Sequence, residues 1–183
     1  MQIYKMSHCV VVDPAVESAP AIVMFGGLYG WEGQWFVERI PAALKSEMIF
    51  VLPNHYTTDC SDCLNDLKSK IDDSKISSFS LCGYSRGGIE VAHYIDLKPW
   101  KILGLIDPSA PTMGGYAEEV FDKVKSKIRC MYNLGNWSSA DYYPKIQSFH
   151  DHLLAIKADM TDAAHLHKNM PKFFLEKYGS DFK

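Results

Sequence analysis

Short apolar runs alternate with longer amphipathic segments along the 183 residues, and this alternation constrains the fold more than any other feature. Runs such as Met48–Leu52 and Ile102–Ile106 are almost continuously apolar, which is typical of strands that are covered on both faces. The candidate strands are Ile3–Val12, Ala21–Phe25, Met48–Leu52, Phe79–Cys82, Ile102–Ile106, Ile128–Tyr132 and His152–Ala158. Strands that alternate with helices favour a parallel sheet.

The segments between these runs carry apolar residues at helical spacing. The candidate helices are Gln34–Lys45, Ser61–Ile71, Gly87–Ile95, Tyr116–Lys125 and a last one from about Pro171 to Tyr178. Asp13–Pro20 is a short, turn-rich connection, so the first strand can pair antiparallel at an edge of the sheet. The pattern predicts one α/β domain over residues 1–183, with a doubly wound, mostly parallel sheet, helices on both faces and no large cap.

The segment Gly83-Tyr84-Ser85-Arg86-Gly87 follows the apolar run Phe79–Cys82 and precedes a candidate helix. In that setting the strand must turn sharply into the helix, and Gly83 and Gly87 leave space where side chains would collide. The turn exposes the hydroxyl of Ser85 at the carboxyl end of the sheet. It also places the amide of Arg86 at a helix N-terminus, where it can stabilise an oxyanion. Ser85 is therefore the candidate nucleophile.

With this motif the chain resembles the α/β-hydrolase superfamily, and the resemblance extends over nearly all of it. The resemblance implies a Ser–acid–His triad in that chain order and an oxyanion hole formed partly by the turn after an early strand. Ala21–Phe25 runs into Gly26-Gly27-Leu28, which resembles the H-G-x segment of the superfamily, with Phe25 where His is common. By that alignment the amide of Gly27 is the second oxyanion donor, and Leu28 is the alternative.

The candidate acid is Asp107, which ends the apolar run Ile102–Ile106 and lies at the same sheet edge as the nucleophile. Its surroundings resemble the G-L-D-P-A-x-P segment of the pancreatic-type lipases, whose acid follows the strand directly after the nucleophile. Many other α/β-hydrolases place the acid one strand later. That position here holds Asn133 and Asn136, which cannot supply a negative charge, and the first carboxylate is Asp141. Asp107 is preferred, with Asp141 as the alternative.

The candidate base lies in a loop between the last predicted strand, His152–Ala158, and the final helix, because a serine hydroxyl needs a base within reach. Two histidines occupy this loop, His165 and His167. The superfamily often has this histidine followed by a short segment, a proline and a helix with an aromatic residue. His165 fits that pattern through Pro171 and Phe173, and His167 fits a shorter version. His165 is preferred, with His167 as the alternative.

Composition argues against several other classes of protein. The net charge of −3 provides no basic field for nucleic acid or for an anionic membrane. No apolar run approaches a membrane span, and the first residues lack the apolar stretch of a signal peptide, so a soluble cytoplasmic protein is expected. Cys60 and Cys63 form a C-x-x-C pair without a second pair to complete a zinc site. Neither a metal nor a cofactor is expected.

Together these residues predict a serine hydrolase that acts on a small acyl ester or thioester through an acyl-enzyme on Ser85. Leu28, Tyr29, Trp31 and Trp35 could line an acyl pocket or pack in the core. One alternative is a non-catalytic binding protein with the same fold. Another is an acyltransferase or a peptidase that uses the same triad. The sequence indicates no oligomeric state.

Overall fold

One mixed sheet contains strands from nearly the whole length of the chain. The computed structural model describes residues 1–28, 33–138 and 140–183. The strands are β1 Gln2–Lys5, β2 Cys9–Asp13, β3 Ala19–Phe25, β4 Ile49–Pro53, β5 Ile76–Tyr84, β6 Leu103–Ile106, β7 Ile128–Tyr132 and β8 Asp159–Asp162. Their order across the sheet is β1-β2-β4-β3-β5-β6-β7-β8. Strands β3 to β8 are parallel, and β1 and β2 form an antiparallel edge.

Helices cover both faces of this sheet. They are α1 Gln34–Arg39, α2 Ala42–Lys45, α3 Cys60–Lys68, α4 Gly87–Tyr94, α5 Tyr143–Ala155 and α6 Met170–Tyr178. Helices α3, α4 and α5 pack on one face through residues such as Leu64 and Phe149. Helices α1, α2 and α6 pack on the other through residues such as Phe36 and Phe174. The predicted doubly wound, mostly parallel sheet with helices on both faces is confirmed.

The carboxyl ends of the central strands meet at one edge of the sheet. Phe25 of β3 is paired with Gly83 of β5, and Tyr84 of β5 is paired with Ile106 of β6. Ile106 is in turn paired with Met131 of β7. Neighbouring strands therefore end at nearly the same level, and the loops that follow them lie side by side.

The predicted strand Ile3–Val12 is a hairpin of two strands. The amide of Met6 donates a hydrogen bond to the carbonyl of Cys9 at 2.9 Å, and the polar residues Ser7 and His8 lie in the turn between β1 and β2. Strand β2 then pairs antiparallel with β4. The antiparallel edge predicted for this part of the chain is confirmed.

The predicted strand over His152–Ala158 is wrong, because most of that segment belongs to α5. This helix has Pro144 in its first turn and buries Ile146, Phe149 and Leu153 at helical spacing. The last strand is instead β8, with the sequence Asp-Met-Thr-Asp, at the edge of the sheet. A short edge strand that is only partly buried produces no apolar run, whereas the apolar end of the preceding helix does.

Two predicted helices also differ from the structure. Gln34–Lys45 is divided into α1 and α2 at Pro41, which has no amide hydrogen to continue the helix. Tyr116–Lys125 is replaced by 3₁₀ turns over Glu118–Lys127. The other predicted elements lie where expected, with shifts of a few residues at their ends.

Candidate active site

Ser85 lies in a strained turn between β5 and α4. Its φ is +54°, a value that residues with a side chain rarely adopt. The turn is so tight that a Cβ on Gly83 would lie 2.1 Å from the carbonyl oxygen of Gly87. A Cβ on Gly87 would lie 2.6 Å from the carbonyl oxygen of Phe25. The sharp strand-to-helix turn predicted for this motif is present, and both glycines are required for it.

Asp107 lies in a second turn, which is bonded directly to Ser85. The amide of Ser85 donates to the carbonyl of Ile106 at 3.0 Å, and the amide of Ser109 donates to the carbonyl of Ser85 at 2.8 Å. Asp107 itself has a φ of +42° and a fully buried side chain. Backbone hydrogen bonds on both sides of Asp107 therefore hold it in a fixed relation to Ser85.

The histidine that contacts the Asp107 carboxylate is His167. Its Nδ1 lies 2.5 Å from Oδ2 of Asp107, and 22% of its side chain is exposed. The ring of His167 also packs against the ring of Tyr84, with 4.8 Å between the centroids, and the Tyr84 hydroxyl donates to the His167 carbonyl at 3.1 Å. Burial, with a contribution from the charge of Asp107, raises the pKa of Tyr84, so this phenol stays a donor. These contacts hold His167 beside the strand end that leads to Ser85.

His165, the preferred base in the sequence analysis, is not the histidine at Asp107. Its ring is stacked on Phe173 of α6, with 3.6 Å between the centroids and 8° between the planes. Because β8 ends at residue 162, the loop before α6 is shorter than predicted, and it brings the alternative, His167, to the carboxylate. The structure thus brings His167, and not His165, to Asp107. Asp141, the alternative acid, is exposed, and no hydrogen bond joins it to either histidine in the described chain.

The loop after β7 supplies donors to Asp107 that the sequence analysis missed. Oδ1 accepts the amide of Asn133 at 2.9 Å and Nε1–H of Trp137 at 3.1 Å. Oδ2 accepts Nδ2–H of Asn136 at 2.7 Å, in addition to the contact with His167. Because asparagine carries no charge, the sequence pattern indicates neither Asn133 nor Asn136 as the acid. A carboxylate that is predicted to be buried needs hydrogen-bond donors from a neighbouring loop. That requirement is the sequence signal that points to the polar residues of the loop after β7.

The same two asparagines also hold the loop that carries His167. The carbonyl of His165 accepts Nδ2–H of Asn133 at 2.8 Å and Nδ2–H of Asn136 at 3.2 Å. The amide of Gly135 donates to Oδ1 of Asn133 at 3.0 Å, which orients that side chain. Asn136 therefore bonds both to the Asp107 carboxylate and to the backbone two residues before His167.

Gly27 and Arg86, the predicted oxyanion donors, flank Ser85. A Cβ on Gly27 would lie 3.1 Å from Cβ and 3.3 Å from Oγ of Ser85, so the backbone of Gly27 lies directly against the hydroxyl. Arg86 precedes the first residue of α4, with φ −53° and ψ −34°. Neither amide donates a backbone hydrogen bond to another described residue.

The predicted acyl-pocket residues are only partly described. Tyr29 and Trp31 lie outside the described residues. Leu28, the alternative oxyanion donor, is 40% exposed beside the Ser85 turn. Trp35 is stacked on the ring of Tyr84, with 5.7 Å between the centroids, and packs against the core beneath α1 and α6.

The described residues provide neither a metal cluster nor a membrane span. No three His, Cys, Asp or Glu side chains in this part of the chain are grouped so that they could hold a metal ion. Cys60 and Cys63 lie in α3 as buried free thiols. Among the helices described here, none has the length and apolar character needed to cross a bilayer.

Solved structures of other proteins share this arrangement of sheet and helices. Est1E from Butyrivibrio proteoclasticus is 12% identical over 99% of this chain and 98% of its own, with a TM-score of 0.64. An esterase from Pyrococcus furiosus is 10% identical over 98% and 87%, with a TM-score of 0.65. An acylaminoacyl peptidase from Pyrococcus horikoshii is 12% identical over 99% of this chain but 40% of its own, with a TM-score of 0.64. No protein-family model and no curated protein sequence matches the chain.

Proposed function

The chain has the α/β-hydrolase fold, and we propose on that basis that it is a serine hydrolase which cleaves a small carboxylic ester or thioester. The observation that carries the proposal is the hydrogen bond between Asp107 and His167. Asp107 lies in a turn that is itself hydrogen-bonded to the backbone of Ser85. A strained serine, a buried carboxylate and an imidazole, in that order along the chain, support nucleophilic catalysis. One of the structures compared above is an esterase and another is an acylaminoacyl peptidase, which agrees with a hydrolase.

In the first half-reaction, Ser85 attacks the acyl carbonyl of the substrate. His167 takes the hydroxyl proton on Nε2 while its Nδ1–H donates to Oδ2 of Asp107. Asp107 stays ionised and stabilises the imidazolium that forms. The alcohol or thiol then leaves with the proton that His167 returns, and the acyl group remains on the Oγ of Ser85.

The amides of Gly27 and Arg86 hold the tetrahedral oxyanion in this scheme. Two observations support this role: the backbone of Gly27 lies against the Ser85 hydroxyl, and neither amide donates to the backbone of the described residues. Donors that are fixed before the reaction stabilise the developing charge without reorganisation. In the second half-reaction His167 activates water, which releases the acid. The scheme requires no cofactor.

The turnover of short, neutral p-nitrophenyl esters tests the proposal, with wild type, Ser85→Ala and a matched serine variant. Ser78→Ala is the match, because Ser78 lies at the other end of β5 and its buried Oγ has no hydrogen-bond partner in the described chain. We expect wild type and Ser78→Ala to release nitrophenol and acetate or butyrate. Ser85→Ala should lose at least about a thousand-fold in kcat.

Three results would overturn the proposal. Full turnover by Ser85→Ala would remove Ser85 as the nucleophile. The absence of turnover for every ester and thioester, with no labelling of Ser85 by a fluorophosphonate, would favour a non-catalytic binding protein. Faster transfer of the acyl group to an added alcohol than to water would indicate an acyltransferase.

A further inference from the structure

Arg86 forms no ion pair with any carboxylate in the described part of the chain. Arg39 pairs with Glu38 at 3.9 Å, and Arg129 pairs with Asp159 at 3.6 Å. No ion pair is formed by Arg86 within residues 1–28, 33–138 and 140–183. Its Nε is buried and has no hydrogen-bond acceptor among those residues. A buried N–H that lacks an acceptor costs free energy, so an oxygen that reached it would be bound favourably.

The position of Arg86 puts this charge at the candidate active site. Arg86 directly follows Ser85, and its guanidinium carbon lies 5.9 Å from the centre of the Tyr56 ring. Tyr56 belongs to the loop after β4, which is parallel to β3 and therefore ends at the same sheet edge as the Ser85 turn. The Arg86 side chain is partly exposed, which leaves it open to a ligand.

The nearest acidic residue in the same helix does not neutralise Arg86 by contact. Glu90 lies one turn later in α4, and no ion pair joins the two side chains. Burial raises the pKa of the Glu90 carboxyl, although His93 and Arg86 act in the opposite direction. Glu90 therefore acts on the guanidinium through its charge and not through a hydrogen bond.

His167 and Arg86 lie toward opposite faces of the sheet. The ring of His167 packs against Tyr84, on the face that α6 covers, whereas Arg86 begins α4 on the other face. A leaving group that takes its proton from His167 departs on the His167 side. If the leaving group departs on that side, the acyl chain, which stays bonded to Ser85, has room to extend toward Arg86.

We propose that Arg86 selects substrates whose acyl chain ends in a carboxylate, that is, monoesters or monothioesters of dicarboxylic acids. This inference rests on the proposed function. A guanidinium presents its donors in a planar fork that matches a carboxylate, and such charge-assisted hydrogen bonds are strong. The ring of Tyr56 flanks the charge and leaves the planar donors of the fork for the carboxylate.

The test compares mono-p-nitrophenyl glutarate with its neutral methyl ester, which has the same acyl length. The quantity measured is the ratio of kcat/KM for the anionic ester to kcat/KM for the neutral one. Because both rates come from one preparation, a loss of folded protein cancels in the ratio. The variants are Arg86→Gln, Arg86→Lys and, as a matched control, Lys75→Gln. Lys75 is exposed in the 3₁₀ turn that precedes β5, at the opposite edge of the sheet.

We expect wild type to prefer the anionic ester and Arg86→Gln to lower the ratio about ten- to a hundred-fold. Arg86→Lys should retain part of the preference, and Lys75→Gln should retain all of it. The inference is overturned if wild type prefers the neutral ester, or if Arg86→Gln leaves the ratio within about two-fold of wild type. Either result leaves the hydrolase proposal intact, since the neutral ester is still cleaved. Failure of wild type to cleave both esters would overturn the hydrolase proposal as well.

Discussion

Oδ2 of Asp107 lies 2.5 Å from Nδ1 of His167 and also accepts Nδ2–H of Asn136 at 2.7 Å. One carboxylate oxygen is therefore shared between the imidazole and an amide. Since Asn136 also donates to the carbonyl of His165, it connects the acid to the loop that carries the base. Asn136 is a positioning residue in the proposed mechanism, and two of its variants have distinguishable consequences.

Removal of the side-chain amide of Asn136 should lower kcat and leave KM nearly unchanged. Asn136→Ala deletes a donor to the Asp107 carboxylate, and a hydrogen bond to a charged group is worth about 1.5–3 kcal/mol. We expect a loss of roughly ten- to a hundred-fold in kcat, measured with a neutral ester under saturating conditions. Asn65→Ala, an exposed change on α3, is the control and should behave as wild type. A kcat for Asn136→Ala equal to that of the control would show that the amide does not support the acid.

A carboxyl group at the same position should lower kcat further than alanine does. In Asn136→Asp the donor to Oδ2 of Asp107 is replaced by a second carboxyl group at hydrogen-bond distance. Two carboxyl groups this close cannot both be ionised, so the charge that stabilises the imidazolium is weakened as well. We expect kcat of Asn136→Asp to lie below that of Asn136→Ala, measured with the same neutral ester. A kcat equal to that of wild type would count against the Asp107–His167 pair as part of the catalytic machinery.

Replacement of a glycine in the Ser85 turn by alanine should destabilise the protein much more than the same replacement elsewhere. A Cβ on Gly83 would lie 2.1 Å from a carbonyl oxygen and 2.7 Å from the amide nitrogen of Gly88, both of which are backbone atoms that cannot move aside. We expect Gly83→Ala to lower the free energy of unfolding by about 3 kcal/mol or more, as measured by urea denaturation.

Gly115→Ala is the control for that change, because Gly115 has a φ of +85° but nothing within 4 Å of its added Cβ. Because only backbone strain opposes it, this change should lower the free energy of unfolding by only about 1 kcal/mol. If Gly83→Ala and Gly115→Ala lost the same free energy of unfolding, the packing around the Ser85 turn would be looser than described.

The five cysteines should be unreactive in the folded protein. All are buried free thiols, and burial, together with the charge of Asp59, raises the pKa of Cys60 to about 12. Thiolate, the reactive form, is therefore scarce at pH 8. We expect Ellman's reagent to titrate no thiol rapidly in the native state and all five after unfolding. Rapid modification of Cys60 or Cys63 in the native state would reopen a redox role for the C-x-x-C pair.

The fold and two of the proposed catalytic residues followed from local pattern. An apolar strand, a glycine-flanked Ser85 and a helix specify one kind of turn, because the sterics of that turn act over a few residues. Asp107 is proposed as the acid for a similar reason, since it ends an apolar strand that is parallel to the one before Ser85. In both cases the determining interactions lie within the segment or between adjacent strands.

Local pattern does not predict which of the two histidines contacts Asp107. That contact depends on where the last strand ends, and β8 is an edge strand without an apolar run. His165 and His167 lie two residues apart in the same loop, so composition and spacing do not separate them. Long-range contacts distinguish them: Phe173 holds the ring of His165, and Tyr84 packs against that of His167.

The donors from the loop after β7 were missed because they act on a residue far away in sequence. Asn136 and Trp137 look like ordinary loop residues until β6 and β7 are placed side by side. Only then does the buried carboxylate of Asp107 require partners from that loop.

Labelling of Ser85 by a fluorophosphonate tests the central claim most directly, because the reaction requires a serine that is activated by its base. The rates for His165→Ala and His167→Ala are compared with wild type, and the modified peptide is identified by mass spectrometry. We expect modification at Ser85, a rate within a few-fold of wild type for His165→Ala, and a loss of at least about a thousand-fold for His167→Ala. Undiminished labelling of His167→Ala, or modification of a residue other than Ser85, would contradict the account.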